Sequence, residues 1–395
     1  MDLERIRADF PALENYTWFQ NGGVSITPRP VAECHARLMT ELLERGPLHI
    51  VYPAEEYPRR SKTMQRLAAF LGVEAATLAL MRGVSEAFQT VLRGMEWQAG
   101  DEIVVSADEE AALLLPALYL RDRFDIVVRR LSLVDADAHA QVAELQDCLS
   151  ERTRLVAFSH VTTDLGYRLP ARELCRCARE RGIPSFVDMA HSCGLFPIDL
   201  FETGCDYAGV LSYKWLYAPY ASGMLYVHPA RLDELSVSYP GGRSEKWLDF
   251  ENESFELHET AERFQFGPWS WPLVHAWADA VDYLCGIGLD AIAARTAELT
   301  TRLKDGLEAI PAATLLTPRS PDRSAALVAM SLEGWTGEDL AGTLREQFNM
   351  IVKPLPHTRE GLRISVPFFL FEEEVDQLVE ALQTLSTGGS STGHS

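Results

Sequence analysis

No uninterrupted apolar run in this chain approaches the ~20 residues that a membrane-spanning helix needs, so no membrane partner is expected. The opening residues Met1-Asp2-Leu3-Glu4-Arg5 carry charge where a secretory leader would carry an apolar core, and a cytoplasmic protein is expected. Positive charge is scarce: 36 Lys and Arg stand against 57 Asp and Glu, a net −21. That shortage argues against a nucleic acid or an anionic membrane as partner, since either would need a basic patch. A small anion is not excluded, because backbone N–H groups at a helix start hold one whatever the global charge. Cysteine is sparse and odd in number, seven in all, with none after Cys285. Cys175 and Cys177 have a poor spacing for a disulfide or a zinc site, so reduced thiols and no metal centre are expected. The rest is ordinary for a globular chain of 395 residues, 47% hydrophobic and 24% charged. That length points to a large core and two domains.

From about residue 60 to residue 230, helix-like and strand-like segments alternate. Helices are expected at 59–71, 83–92, 109–121 and 171–181, and strands at 78–81, 101–106, 125–131, 155–158, 184–187, 207–211 and 224–227. Alternation of this kind predicts an α/β fold with a mostly parallel sheet, helices on both faces, and a ligand at the carboxyl ends of the strands. Residues 236–271 break the pattern with an aromatic segment too long for a plain connection. Helices resume at 272–285 and 289–310. A smaller α+β unit follows, with strands at 326–332, 350–352 and 362–366 and helices at 337–347 and 372–385. The expected division is a large domain over 15–285, a small one over 286–385, with residues 1–30 contributing to the small domain and the active site, and a disordered tail over 386–395.

Two strand ends carry the chemistry. Val187-Asp188-Met189-Ala190-His191 ends one apolar run. Ser212-Tyr213-Lys214-Trp215-Leu216 ends the next, 26 residues after the Asp. A buried carboxylate needs a cationic partner, and a lysine among aromatics is desolvated, which lowers its pKa and favours Schiff-base chemistry. Pyridoxal 5'-phosphate answers both, because its ring nitrogen wants a carboxylate and its aldehyde an amine. Asp188 and Lys214 are therefore the candidate catalytic pair, with His191 a third group facing the cofactor. Gly83-Val84-Ser85 opens a helix after the run 78–81, where N–H groups and the Ser85 hydroxyl can hold a phosphate. Alone, Ser85 reads equally well as a helix N-cap; the downstream pair turns the reading to phosphate. Ser212 and Tyr213 offer further hydroxyls, although Tyr213 also suits the core.

These motifs, with Phe19-Gln20-Asn21-Gly22-Gly23, Arg263-Phe264-Gln265-Phe266-Gly267 and Gly361-Leu362-Arg363-Ile364-Ser365, resemble class V aminotransferase-fold enzymes of fold type I. Within that group the chain is similar to the isopenicillin N epimerase-like and cysteine lyase-like branch, and its wording around Lys214 is similar to kynureninase. The resemblance covers about residues 10–385. It implies a PLP-dependent transferase-like fold with a seven-stranded sheet, and a homodimer with shared active sites. It also implies that Lys214 carries the cofactor and then shuttles protons, and that Asp188 partners the pyridine nitrogen. His191 and Thr163 would neighbour the phenolic oxygen. Arg363 would clamp the substrate α-carboxylate, with Asn21 and Gly22 beside the substrate. Three departures stand out. Glu109-Glu110-Ala111-Ala112 occupies the place of the usual stacking ring, which puts Ala111 against the cofactor. Gly267-Pro268 replaces a Gly-Thr that reaches the partner's phosphate. Residues 349–360 lack the thiol with which a desulfurase takes up sulfur.

The expected activity is a lyase acting on an amino acid: Lys214 removes the α-proton of a cysteine S-conjugate and the β-substituent leaves, in specialised biosynthesis such as that of an antibiotic. The alternatives on the same cofactor are epimerisation, transamination and decarboxylating oxidative deamination. A reading of another class is a binding protein that kept the fold without catalysis, against which Lys214 counts.

Overall fold

The computed structural model describes residues 1–356 and 359–388. Seven strands form the main sheet: β1 (Leu78–Met81), β2 (Glu102–Ser106), β3 (Val127–Leu131), β4 (Thr153–Ser159), β5 (Ser185–Asp188), β6 (Tyr207–Leu211) and β7 (Gly223–Val227). Their order across the sheet is β1-β7-β6-β5-β4-β2-β3. All neighbours are parallel except β7, which runs antiparallel to both β1 and β6.

Apart from the edge strand β3, the strands read as largely apolar runs because the sheet is covered on both faces. Alternate residues feed two separate cores. Val104, Val156, Val187 and Val210 pack on one side, and Ile103, Val105, Leu155 and Phe186 on the other. Helices Val84–Gly94 and Ala111–Phe124 cover the second side, and Ala171–Glu180 and Trp271–Ile287 the first. Each fully buried Val, Ile or Phe contributes about 1.5–3 kcal/mol, so the sheet is the rigid part of the molecule.

The C-terminal part carries a four-stranded antiparallel sheet in the order Ala313–Leu315, Leu327–Leu332, Leu362–Ser365, Lys353–Pro354. The short strand Thr17–Trp18 pairs in parallel with Met350–Ile351, which brings the residues just after it next to Ser365. Helix Glu372–Gly388 closes the chain. It runs into the tail expected to be disordered: residues 386–388 are helical, and 389–395 lie outside the described residues. The aromatic segment after β7 holds a hairpin, Glu245–Asp249 with Ser254–Leu257. No helix is long and apolar enough to cross a membrane among the described residues.

Candidate active site

The carboxyl ends of β1, β5 and β6 open onto a cavity of about 810 Å³, lined among others by Gly83, Glu110, Asp188, Tyr213, Lys214 and Lys353. Asp188 is the last residue of β5 and is almost fully buried. One of its oxygens accepts the Ala190 N–H at 2.7 Å, and the other has no hydrogen-bond partner among the described residues. Burial raises its carboxyl to about 6. A carboxylate so placed is stabilised by a cationic N–H reaching it through the cavity.

Lys214 lies three residues beyond β6, also buried, with Nζ 3.1 Å from His191 Nε2. Trp215 Nε1–H donates to His191 Nδ1 at 3.3 Å. That bond fixes the proton inventory. Nδ1 accepts and so carries no hydrogen; burial drives the imidazole far below its ordinary pKa, so the ring is neutral and its one proton sits on Nε2. Nε2–H then points at Lys214 Nζ, an arrangement that favours the uncharged amine over the ammonium form. Consistently, burial lowers Lys214 to about 8, with the Arg363 and Lys353 charges adding to the shift while Glu110 and Asp188 oppose it.

Gly83 caps helix Val84–Gly94, whose first-turn N–H groups are left open as at any helix start. A Cβ at Gly83 would meet nothing within 4 Å, so space for an anion exists there. Ser85 is exposed, and its hydroxyl has no partner among the described residues. Gly223, the first residue of β7, admits the Gly83 backbone: a Cβ on it would lie 2.6 Å from Gly83 Cα. Tyr213 stacks on Tyr220 with centroids 5.1 Å apart, at the cavity wall.

Arg363 is fully buried. Its Nη1 donates to the Thr163 carbonyl at 2.9 Å, while Nε and Nη2 have no partner among the described residues. Asn21 Nδ2 donates to the Lys214 carbonyl at 3.2 Å, and its buried Oδ1 has no partner among the described residues. Gly22 N–H donates to Ser365 Oγ at 2.9 Å; a Cβ there would press Leu327 at 2.5 Å and reach His191 at 3.5 Å.

Two expected cofactor contacts fall elsewhere. Ser212 Oγ donates to the Pro219 carbonyl at 2.5 Å and so ties the turn after Lys214 instead of facing a phosphate. Thr163 Oγ1 donates to Glu110 at 2.7 Å and lies 3.4 Å from Arg363 Nη1, so its hydroxyl braces side chains on the substrate side. Ala111 does reach the cavity, as the first residue of its helix. That helix was expected from residue 109. Glu110 is instead its N-cap, with extended backbone, and the side chain enters the cavity.

Sequence reasoning missed three groups. Glu110 and Lys353 line the cavity. Glu109 lies beneath it and accepts from the Ser106 hydroxyl at 2.5 Å, the Ser159 N–H at 2.7 Å and the Ser159 hydroxyl at 2.6 Å. Burial raises Glu109 to about 8, with the Asp188 charge adding to it. No group of three or more possible metal ligands occurs among the described residues.

These residues fit pyridoxal phosphate. Asp188 keeps one oxygen open for a ring N–H, Gly83 to Ser85 leave room and donors for a phosphate, and Lys214 presents a desolvated amine that loses its proton more readily than an ordinary lysine. The orphaned nitrogens of Arg363 fit a carboxylate.

The profile of the Aminotransferase class-V family matches residues 54–378. The chain is 33% identical over 337 residues to isopenicillin N epimerase of Streptomyces clavuligerus, covering 82% of this chain and 83% of that one. It is 28% identical over 410 residues to a probable cysteine desulfurase of Mycobacterium leprae, covering 96% and 95%. Among solved structures it resembles the cystine C–S lyase C-DES in complex with its product cysteine persulfide, with a TM-score of 0.87 at 25% identity over 96% of this chain and all of that one. A C-DES mutant with glycine covalently linked to its PLP cofactor matches with the same TM-score and identity over 95% and 98%.

Proposed function

The chain belongs to the class-V aminotransferase family and is a pyridoxal-phosphate enzyme of fold type I acting on an amino acid; on that premise we propose that it is a C–S β-lyase of cysteine S-conjugates. The carrying observation is a desolvated Lys214 amine, lowered to about 8 and facing the cavity, in a chain whose segment 349–360 offers no thiol to accept sulfur. The bound cofactor supplies a sink for the electron pair left at Cα.

In this reading Asp188 holds the proton on the ring nitrogen, and the N–H groups of Gly83, Val84 and Ser85 take the phosphate. His191 orients the Lys214 amine. Arg363 takes the α-carboxylate through Nε and Nη2, and Asn21 and Gly22 shape the floor beside His191. Lys214 removes the α-proton, the Cβ–S bond breaks, and the sulfur leaves as a thiol. With one water the balance is pyruvate, ammonia and the free thiol. Purified holoenzyme with S-alkylcysteines should release pyruvate and thiol in equal amounts. Release of neither overturns the reading.

A second reading is epimerisation, which Glu110 favours as an ionised carboxylate in the same cavity as Lys214. In heavy water it predicts α-deuteration with inversion and no thiol. The isopenicillin N epimerase relatives suggest specialised biosynthesis under either reading. A cofactor-free binding protein is the outcome if the protein stays colourless after soaking in pyridoxal phosphate.

The proposal extends to a cytoplasmic homodimer. The hairpin after β7 exposes Trp247, Leu248, Phe255 and, at its tip, Phe250 at 86%, a surface that a second copy would cover. Light scattering of the wild type and of Phe250→Ser should give twice and once the chain mass; a monomeric wild type overturns it.

A further inference from the structure

Two charged side chains on the cavity wall, Glu110 and Lys353, have no part in the β-elimination assigned above. Glu110 keeps one carboxylate oxygen on the Thr163 hydroxyl at 2.7 Å, with Arg363 Nη1 at 3.9 Å. Its other oxygen has no partner among the described residues. Burial would raise this carboxyl, but the Lys214 charge and the Thr163 bond outweigh it, so Glu110 is an anion.

Lys353 reaches the same cavity from the small sheet. It stands directly opposite Arg363 in the antiparallel register, so the two side chains leave the same face. Its ammonium is half-buried and has neither a hydrogen bond nor an ion pair among the described residues.

A cation and an anion thus face one space without closing on each other. Each is partly stripped of water, and a ligand carrying both complementary charges offsets that cost. The substrate α-carboxylate does not use up Lys353, because Arg363 has two nitrogens of its own without a partner among the described residues. Once that carboxylate cancels Arg363, Lys353 and Glu110 remain as a matched, separated pair.

We propose that Glu110 and Lys353 are specificity-determining residues that select a β-substituted amino acid whose departing side chain ends in a second amino-acid head, with its ammonium group on Glu110 and its carboxylate on Lys353. This rests on the β-elimination reading. The bond broken is Cβ–S, and the thiol released is itself an amino acid.

The test uses holoenzyme and four S-conjugates of cysteine that differ only in the tail: S-methyl (neutral), S-carboxymethyl (anionic), S-aminoethyl (cationic) and lanthionine (dipolar). Dissociation constants come from quenching of tryptophan fluorescence, and kcat/KM from thiol release. Lanthionine should bind about tenfold tighter than the S-methyl conjugate. Lys353→Gln should reduce lanthionine to the level of the cationic conjugate, and Glu110→Gln to that of the anionic one. In each variant the loss should be larger for lanthionine than for the S-methyl conjugate, so that the wild-type preference disappears, and Lys353→Arg should keep the preference. Equal weakening of all four conjugates by either variant, or no preference in the wild type, overturns the proposal. Binding in the expected order without thiol release overturns the lyase reading and leaves the selectivity pair standing.

Discussion

The amine of Lys214 must be unprotonated to attack an aldehyde, so the rate at which cofactor-stripped protein captures pyridoxal phosphate reports its ionisation. With the amine at about 8 instead of its ordinary 10.5, about one molecule in eleven is reactive at pH 7, against about one in three thousand for an ordinary lysine. Capture should therefore run about 300-fold faster than at an ordinary lysine at pH 7, rise with pH, and level off above about 8. Burial sets most of that shift, and Trp215 supports it, since its N–H keeps His191 Nδ1 unprotonated at 3.3 Å. In Trp215→Phe the imidazole proton can move to Nδ1, leaving Nε2 as an acceptor that favours the ammonium form. A hydrogen bond to a charged group is worth about 1.5–3 kcal/mol, so the midpoint should move up by about one unit and capture at pH 7 should fall about tenfold. The assay is the growth of visible absorbance in a stopped-flow pH series. A wild-type midpoint above about 9.5, or a downward shift in the variant, refutes the reasoning.

Glu109 titrates at about 8 in the folded chain against an ordinary 4.5, so its favourable contribution is complete below about 4.5 and is lost as pH rises through 8. Glu109→Gln removes that loss, and its stability relative to wild type should improve by up to about 1.4 kcal/mol per pH unit between pH 5 and 7; urea melts showing a pH-independent difference would sink this. Arg363→Lys keeps a charge but loses the fork formed by Nε and Nη2, so KM for the amino acid should rise about thirtyfold or more while the visible band of bound cofactor is unchanged. An unaltered KM would remove Arg363 from substrate binding. Gly194 has φ +97°, and a Cβ on it would lie 2.0 Å from the Trp215 carbonyl, so Gly194→Ala should cost about 2–4 kcal/mol of stability and disturb Trp215. Wild-type melting in that variant contradicts the account.

The sheet strands were legible because every one but the edge strand β3 is an apolar run bounded by turns. Helix Ala138–Cys148 was not, because its buried face carries Gln141 beside Leu145. Gln141 is accommodated by donating to the Ser132 carbonyl and accepting from Val134 N–H, which no apolar periodicity reveals. The hairpin after β7 was missed for a related reason: both of its faces are largely open, so no alternation is imposed on it. Helix Arg29–Arg45 buries only Val31, Cys34 and Leu38, a thin stripe in a polar segment. In the site, Asp188, Lys214 and His191 stood out because polar residues interrupted buried runs. Lys353 gave no such signal, since its meaning lies in the register that sets it against Arg363. Glu110 was visible as a departure, but only the capping geometry turns it into the cavity.

Strand β1 has a single neighbour in the sheet, and that neighbour is β7. Residues 78–81 therefore wait for residues 223–227 to be made before either strand is paired. The same seam sets Gly223 against Gly83 and so finishes the phosphate cradle. During synthesis, Lys214 and Asp188 leave the ribosome before that seam can close. A chain stalled between residues 214 and 223 has both reactive groups and an unfinished phosphate cradle, so loading belongs to the last stage of folding of the sheet.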